Sequence, residues 1–270
     1  MNVKDIPIQI KKKFLKFWRS EDTKVSLIRD VFVAFIIVFI ILMALWSYTG
    51  QWFGTPMVAI ESGSMTHDNE PFGKIGFIDA GDMVLLVKID GKSDIETHFN
   101  RDESNFHYND YGDVIIYRPY GDESRDQIIH RAICWIQYNG NKYTVEEYDI
   151  YNASSVNIPE LSIKNYRPPH SGFITKGDNN DYVDQLFPSL CDEPIRPEWI
   201  SGKARGEITW VGTLNLIFND IFHGKNTVKN IPGDSLICLV VLIGALISIP
   251  LSFDIYDHLK SKKETEEKKK

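Results

Sequence analysis

Residues 31–46 read VFVAFIIVFIILMALW, sixteen apolar residues without a break. A helix needs about 20 residues, range about 17–25, to cross a bilayer core. Ser47 and Tyr48 lengthen the run without adding charge, and Trp46, Tyr48, Trp52 and Phe53 resemble an interfacial aromatic belt. A second run, Leu236–Phe253, has 18 residues and no charge, with Pro250 near its end, where a membrane exit tolerates it. A cleaved signal peptide is the alternative for the first run. Its basic region is too long for that, and no small-x-small site directly follows the apolar core. A buried helix is the alternative for the second.

The mean hydropathy of −0.22 hides these runs because everything between them is polar. Charge divides the same way. Residues 1–30 carry eight Lys/Arg against four Asp/Glu, and residues 254–270 carry six against five, so the middle holds most of the excess acid behind the net −7. An acidic globular part argues against a nucleic-acid partner. Lys and Arg beside spans tend to stay in the cytoplasm. Lys11, Lys12, Lys13, Lys16, Arg19, Lys24 and Arg29 precede the first run, and Lys260, Lys262, Lys263 and Lys268 to Lys270 follow the second. The expected order is a cytoplasmic basic leader (1–30), a first span (31–48), an extracytoplasmic domain (49–234), a second span (235–253) and a charged cytoplasmic tail (254–270). Within the leader, Ile10, Phe14, Phe17 and Trp18 have the spacing of an amphipathic helix on the inner bilayer surface. A merely solvated basic segment fits equally well.

The outer domain reads as mainly β. Short runs at 83–87, 114–117, 128–136, 143–146, 172–175 and 208–211 have strand composition, and Asn139-Gly140-Asn141 is a hairpin signal. Their turn spacing suits a folded sheet or small barrel. Segments 90–112 and 148–170 look like polar excursions. Cys134 and Cys191 fall in this domain and Cys238 in the second span; a Cys134–Cys191 bridge stays open, although no dense cysteine framework exists. Asn152-Ala153-Ser154 is a glycosylation triplet, a weak signal.

Four segments carry chemistry. Val58-Ala59-Ile60-Glu61-Ser62-Gly63-Ser64-Met65 is a strand running into small residues, which can present a serine hydroxyl at a turn. His130 sits on the apolar run around Ile128 and Ile129. Lys176-Gly177-Asp178-Asn179-Asn180-Asp181-Tyr182-Val183-Asp184 is a polar loop, and Ile200-Ser201-Gly202-Lys203-Ala204-Arg205-Gly206 reads as a turn between strands. Taken singly, each has a bland reading: a loop serine, a structural histidine, a turn or calcium loop, a turn. Together they supply a nucleophile, a base and a carboxylate. A serine needs a base, commonly neutral imidazole, and the imidazole needs a carboxylate to fix its tautomer.

This set resembles type I signal peptidases of the archaeal and endoplasmic-reticulum branch. The resemblance rests on Ser62-Gly63-Ser64-Met65 just past a span, Gly81-Asp82 and Gly112-Asp113 opening strands, Ile129-His130-Arg131, Gly177-Asp178-Asn179-Asn180 with Asp184, and the closing Ser201–Gly206 segment. These are ordered as in the family and cover most of 55–212. The bacterial branch has a lysine base where this chain has His130. A second span departs from the usual single-span reticulum subunit and occurs in some archaeal relatives.

The resemblance implies a membrane-bound serine endopeptidase, without a cofactor or metal, that removes signal peptides from preproteins after small −1 and −3 residues. It makes Ser64 the nucleophile and His130 the base. Asp178 and Asp184 compete to orient His130; Asp184 matches the family's second aspartate, and Asp178 suits an Asx-type turn. The Ser64 backbone N–H and the Ser62 hydroxyl would hold the oxyanion. Ile60, Glu61, Ile128 and Ile129 would flank an extended substrate, and Met65 would sit near it or merely fill the core. The implied partners are preproteins, the lipid bilayer and the protein-export translocon, at the cell membrane or, in a eukaryote, the reticulum. Two rivals remain: a protease on the same scaffold acting on another class of partner, and a non-enzymatic envelope β domain.

Overall fold

The computed structural model describes residues 15, 17–18, 20, 22–67 and 76–267, which fall into two compact units, Met1–Gly54 and Thr55–Lys270. Ile10 and Phe14 of the leader, and Lys268 to Lys270 of the tail, lie outside the described residues.

The first unit is dominated by helix α1, Thr23–Thr49. Asp22 caps it by accepting from the Lys24 and Val25 amides at 2.9 and 3.2 Å. Gly50 ends it in the left-handed region, φ 68°, with its N–H on the Trp46 carbonyl at 2.9 Å. The cap explains why the helix starts eight residues before the apolar run: a good N-cap satisfies first-turn amides that would otherwise be orphaned. At about 1.5 Å per residue the helix is about 40 Å long, enough to cross a bilayer.

In the second unit the strands follow as β1 (Met57–Ala59), β2 (Met83–Val87), β3 (Phe106–His107), β4 (Asp110–Tyr111), β5 (Val114–Tyr117), β6 (Ile128–Tyr138), β7 (Tyr143–Val145), β8 (Ile150–Ala153), β9 (Val156–Ile158), β10 (Ile163–Tyr166), β11 (Gly172–Lys176) and β12 (Ile200–Ile208). Helices α2 (Gly212–His223) and α3 (Gly233–Glu267) close the chain. The main sheet is antiparallel, ordered β1-β2-β12-β5-β6-β7-β8, with β11 also on β6. The hairpins β3–β4 and β9–β10 stand apart and occupy the polar excursions. One apolar layer gathers Ile60, Met65, Ile78, Val84, Leu86, Val114, Ile116 and Ala204 beneath β1, β2, β5 and β12.

Two register details position the site. Strand β1 ends the sheet, so its outer edge is unpaired in it. Strand β6 pairs with β5 from Ile128 to Arg131, whereas its pairing with β11 stops at Lys176↔Arg131. The second edge of Ile128–His130 is therefore left open as the chain turns away at Gly177.

Several expectations are corrected. The segment 200–206 is not a turn but the first part of β12, which bulges between Ile200 and Gly202 and again between Ala204 and Glu207. Its glycines are there for close approach: a Cβ on Gly202 would meet the Val87 carbonyl oxygen at 2.5 Å. The late strand expected at 208–211 ends at Ile208, where Trp210 adopts φ 64° and the chain enters α2. Helix α3 continues past Pro250 to Glu267 rather than ending near it. Cys134 and Cys191 are both buried free thiols. They belong to separate apolar clusters, and burial pushes both thiols up from their ordinary range.

Two helices, Thr23–Thr49 and Gly233–Phe253 of α3, are long and apolar enough to cross a membrane.

Candidate active site

The serine turn is built on the end of β1. Ile60 donates to the Asp82 carbonyl and accepts from the Gly81 amide, both at 2.9 Å, which docks the chain beside the loop before β2. Met65 is buried in the apolar layer and anchors the turn from below. The Thr66 amide closes the turn on the Gly63 carbonyl at 3.2 Å. Asn179 holds it from the other side, its amide on the Ser64 carbonyl at 2.9 Å and its Nδ2 on the Gly63 carbonyl at 3.0 Å. The Ser64 Oγ lies 3.3 Å from the Ser62 Oγ.

A cleft of about 640 Å³ runs between the two open edges. One wall carries Met57 to Ser62 and Ser64; the other carries Ile128, Ile129 and His130. Such volume and mixed lining are ordinary for a ligand site. Ile60, Glu61, Ser62, Ser64, His130, Ile128 and Ile129 are thus brought together as expected from the sequence.

His130 is 4% exposed, and its Nδ1 lies 2.7 Å from Asp184 Oδ2. The same oxygen accepts from the Tyr117 hydroxyl at 2.8 Å and the Thr175 hydroxyl at 2.6 Å. A carboxylate oxygen accepts, so this contact suits an Nδ1–H donor, the tautomer in which a neutral ring has its lone pair on Nε2. Burial, then the Asp184 charge, pushes the Tyr117 phenol well above its ordinary range, so it stays a donor. The Nε2 end faces Gly177: a Cβ there would lie 2.9 Å from Nε2 and 2.6 Å from the Ser64 carbonyl oxygen. His130 and the serine turn therefore meet over one bare glycine.

Asp178 has another task. Arg131, the residue after His130, points to the opposite face of β6 and holds Asp178 in a two-pronged pair at 2.9 and 2.5 Å. The same buried guanidinium donates to the carbonyls of His107, Tyr108 and Gly112 at 3.0, 3.2 and 2.7 Å. Asp178 thus ties the 177–184 loop to the β3–β4 hairpin through a cation rather than serving as a simple Asx turn. Asp181 is exposed and outside this arrangement.

Sequence reasoning left the Gly-Asp strand openers and the 201–206 segment without roles. Asp113 is fully buried, pairs with Lys203 at 3.0 Å and with Arg205, and accepts from the Glu96 amide at 3.1 Å. It locks β12 to β5. Asp82 accepts from the Trp210 and Asp79 amides at 2.8 and 3.0 Å, fixing the loop that receives Ile60. Burial pushes its carboxyl up to about 6 and that of nearby Glu207 up to about 7. Tyr117 and Thr175, the holders of Asp184, went unnoticed because nothing in a strand's composition marks which hydroxyl will face a distant carboxylate. Among the described residues, no three His, Cys, Asp or Glu side chains gather to hold a metal.

No family model and no curated protein match this chain.

Proposed function

We propose that this chain is a membrane-anchored serine endopeptidase of the type I signal peptidase kind, close to the archaeal and reticulum branch. The observation that carries the proposal is the buried His130–Asp184 pair, whose free Nε2 points toward the Ser64 turn in a cleft between two open strand edges.

In this reading the Ser64 hydroxyl swings from Ser62 to His130 Nε2. The serine oxygen attacks the scissile carbonyl and its proton passes to Nε2. The Ser64 amide and the Ser62 hydroxyl hold the oxyanion; losing one such donor typically costs about 100–1000-fold in rate. The intermediate collapses as Nε2 returns the proton to the leaving amine. Water, activated by the same base, then hydrolyses the acyl-enzyme. Asp184 keeps the imidazole in the productive tautomer throughout. The substrate lies extended between β1 and Ile128–His130, adding main-chain hydrogen bonds to the open edges and completing a barrel-like sheet. Ile60 and Ile129 would shape shallow apolar pockets for small −1 and −3 side chains.

The partners are signal-bearing preproteins presented by the bilayer and the export translocon. Both tails are cytoplasmic and the β domain is outside. Ser64 lies only 16 residues beyond Tyr48, a short tether that keeps the nucleophile near the membrane and raises its effective concentration there.

The test is cleavage of a signal-bearing preprotein in lipid by wild type, Ser64→Ala and His130→Ala. Wild type should cut after small −1 and −3 residues and spare bulky ones, with both variants inactive. Cutting by Ser64→Ala at the wild-type rate would sink the mechanism. Equal cutting of bulky −1 and −3 substrates would point to a protease for another class of partner.

A further inference from the structure

Helix α2 has two unlike faces. Gly212, Thr213 and Leu216 are buried. On the far side Leu214, Phe218, Ile221 and Phe222 are 39, 58, 68 and 73% exposed, and the Phe218 and Phe222 rings stack at 6.3 Å. Spacing of i, i+4, i+7 and i+8 puts these four on one stripe about 100° wide. Large apolar groups in such a stripe, on a helix already packed by its other face, mark a contact with something apolar.

The structure fixes this stripe relative to α3. At its start, the Thr213 amide bonds the Gly81 carbonyl at 2.8 Å. At its end, Asp220 accepts from the Thr227 amide and hydroxyl at 2.9 and 2.8 Å and from the Val228 amide at 2.9 Å, folding the linker back on the helix. Ile231, two residues before α3, is buried against Gly81, where a Cβ would meet its side chain at 3.1 Å. Helix α2 and the start of α3 are thus pinned to the same loop. If α3 crosses a bilayer, its first turn lies at the bilayer surface, and α2 is held beside it.

We infer that α2 lies on the outer bilayer surface with Leu214, Phe218, Ile221 and Phe222 sunk among the lipid chains just below the headgroups. The occupant of the stripe is lipid. An in-plane helix with an apolar face and no need to span is the general form of an interfacial anchor. Asn215 of the same helix lines the cleft, so this contact also sets the height of the cleft above the membrane.

The inference rests on α3 being a span and not on the protease chemistry. Its test uses the full chain with Cys238→Ser, reconstituted in phosphatidylcholine–phosphatidylglycerol vesicles, since Cys134 and Cys191 are buried. Phe222→Cys and His223→Cys, both exposed positions, are labelled with a fluorescent maleimide. Lipids spin-labelled near the headgroup should quench the label at 222 at least twofold more than the label at 223, and aqueous iodide should do the reverse. Iodide quenching as strong at 222 as at 223 would overturn the inference while leaving the span intact. Protection from both quenchers would also overturn it, by showing the stripe against a second copy. Failure of the protein to float with the vesicles would overturn it together with the span.

Discussion

At the residue scale, alternation along β6 assigns the two aspartates. His130 and Arg131 are neighbours on opposite faces, so the carboxylate that meets one cannot meet the other. The sequence nominated Asp178 and Asp184 together because both sit in one polar loop; only the fold of that loop separates them. Asp184→Asn presents an amide where the imidazole needs an acceptor. Turnover is expected to fall about 10⁴-fold, as it does when the triad aspartate of a chymotrypsin-like protease becomes asparagine. The unfolding free energy should drop by about 1–3 kcal/mol, since an amide nitrogen at the Oδ2 position cannot accept from the Tyr117 and Thr175 hydroxyls. Asp178→Asn instead leaves the buried Arg131 without its counter-charge. That should cost about 3 kcal/mol of stability, with activity falling in parallel as the loop loosens. Denaturant titration and turnover on the same samples separate the cases; a stable, inactive Asp178→Asn beside an active Asp184→Asn would reverse the roles. Gly177→Ala is a third case. Its methyl would meet the Ser64 carbonyl oxygen, Asn180 Nδ2 at 2.7 Å and His130 Nε2. Turnover should fall at least about 100-fold for a stability loss of about 1–3 kcal/mol, and wild-type turnover in this variant would show that the loop does not set the geometry.

At the scale of elements, strand content was legible where apolar and β-branched residues cluster between turn signals. The runs near 83, 114, 128, 143 and 172 fall on β2, β5, β6, β7 and β11. The two-residue strands β3 and β4 have no room for a pattern, and β8 to β10 mix polar and apolar positions because only one face is covered. Strand β12 was misread because glycine signals a turn in sequence, whereas here it admits a neighbouring strand. Helix α2 was hidden by its own surface, since its exposed apolar stripe blurs the usual contrast between faces. The loop before β2 and the end of β12 share a pH-sensitive contact. Glu207 accepts from the Gly76 amide, and burial raises its carboxyl to about 7 and that of Asp82 to about 6. Unfolded Asp and Glu titrate near about 4. Below that pH both states hold their protons and nothing is lost. As pH rises toward 6 and 7, the unfolded chain gives up protons that the folded chain still binds, so stability falls through this window and stays lower above it. Glu207→Gln keeps the acceptor and removes the charge. It should raise stability by about 1 kcal/mol at pH 8.5, a figure reduced because Glu207 is partly open to solvent, and by nearly nothing at pH 4.5. The same gain at both pH values would place the cause outside Glu207 ionisation.

At the scale of the whole molecule, the two apolar helices were the most legible feature and the sidedness of the chain the least. An apolar run has the same composition whichever way it crosses, so orientation rests on the charges that flank it. Residues 49–73 hold no Lys or Arg, while the leader carries eight and the tail six, all of them Lys in the tail. Two crossings return the chain to the side from which it started, so the leader and the tail share a side under the proposed topology. The β domain between them must then face the other side, as the proposed processing of exported chains requires. Protease added to sealed right-side-out vesicles should cut within 90–112 and spare both ends, which epitope tags placed before residue 1 and after residue 270 would report. Opening the vesicles should expose the tags at once. Loss of the C-terminal tag from sealed vesicles, with the N-terminal tag kept, would mean a single crossing and would remove the bilayer contact assigned to α2. Loss of both tags, with 90–112 intact, would mean two crossings in the inverted sense. In that case α2 could still lie on a bilayer surface, but the cleft would open toward the cytoplasm and the processing of exported chains would be excluded.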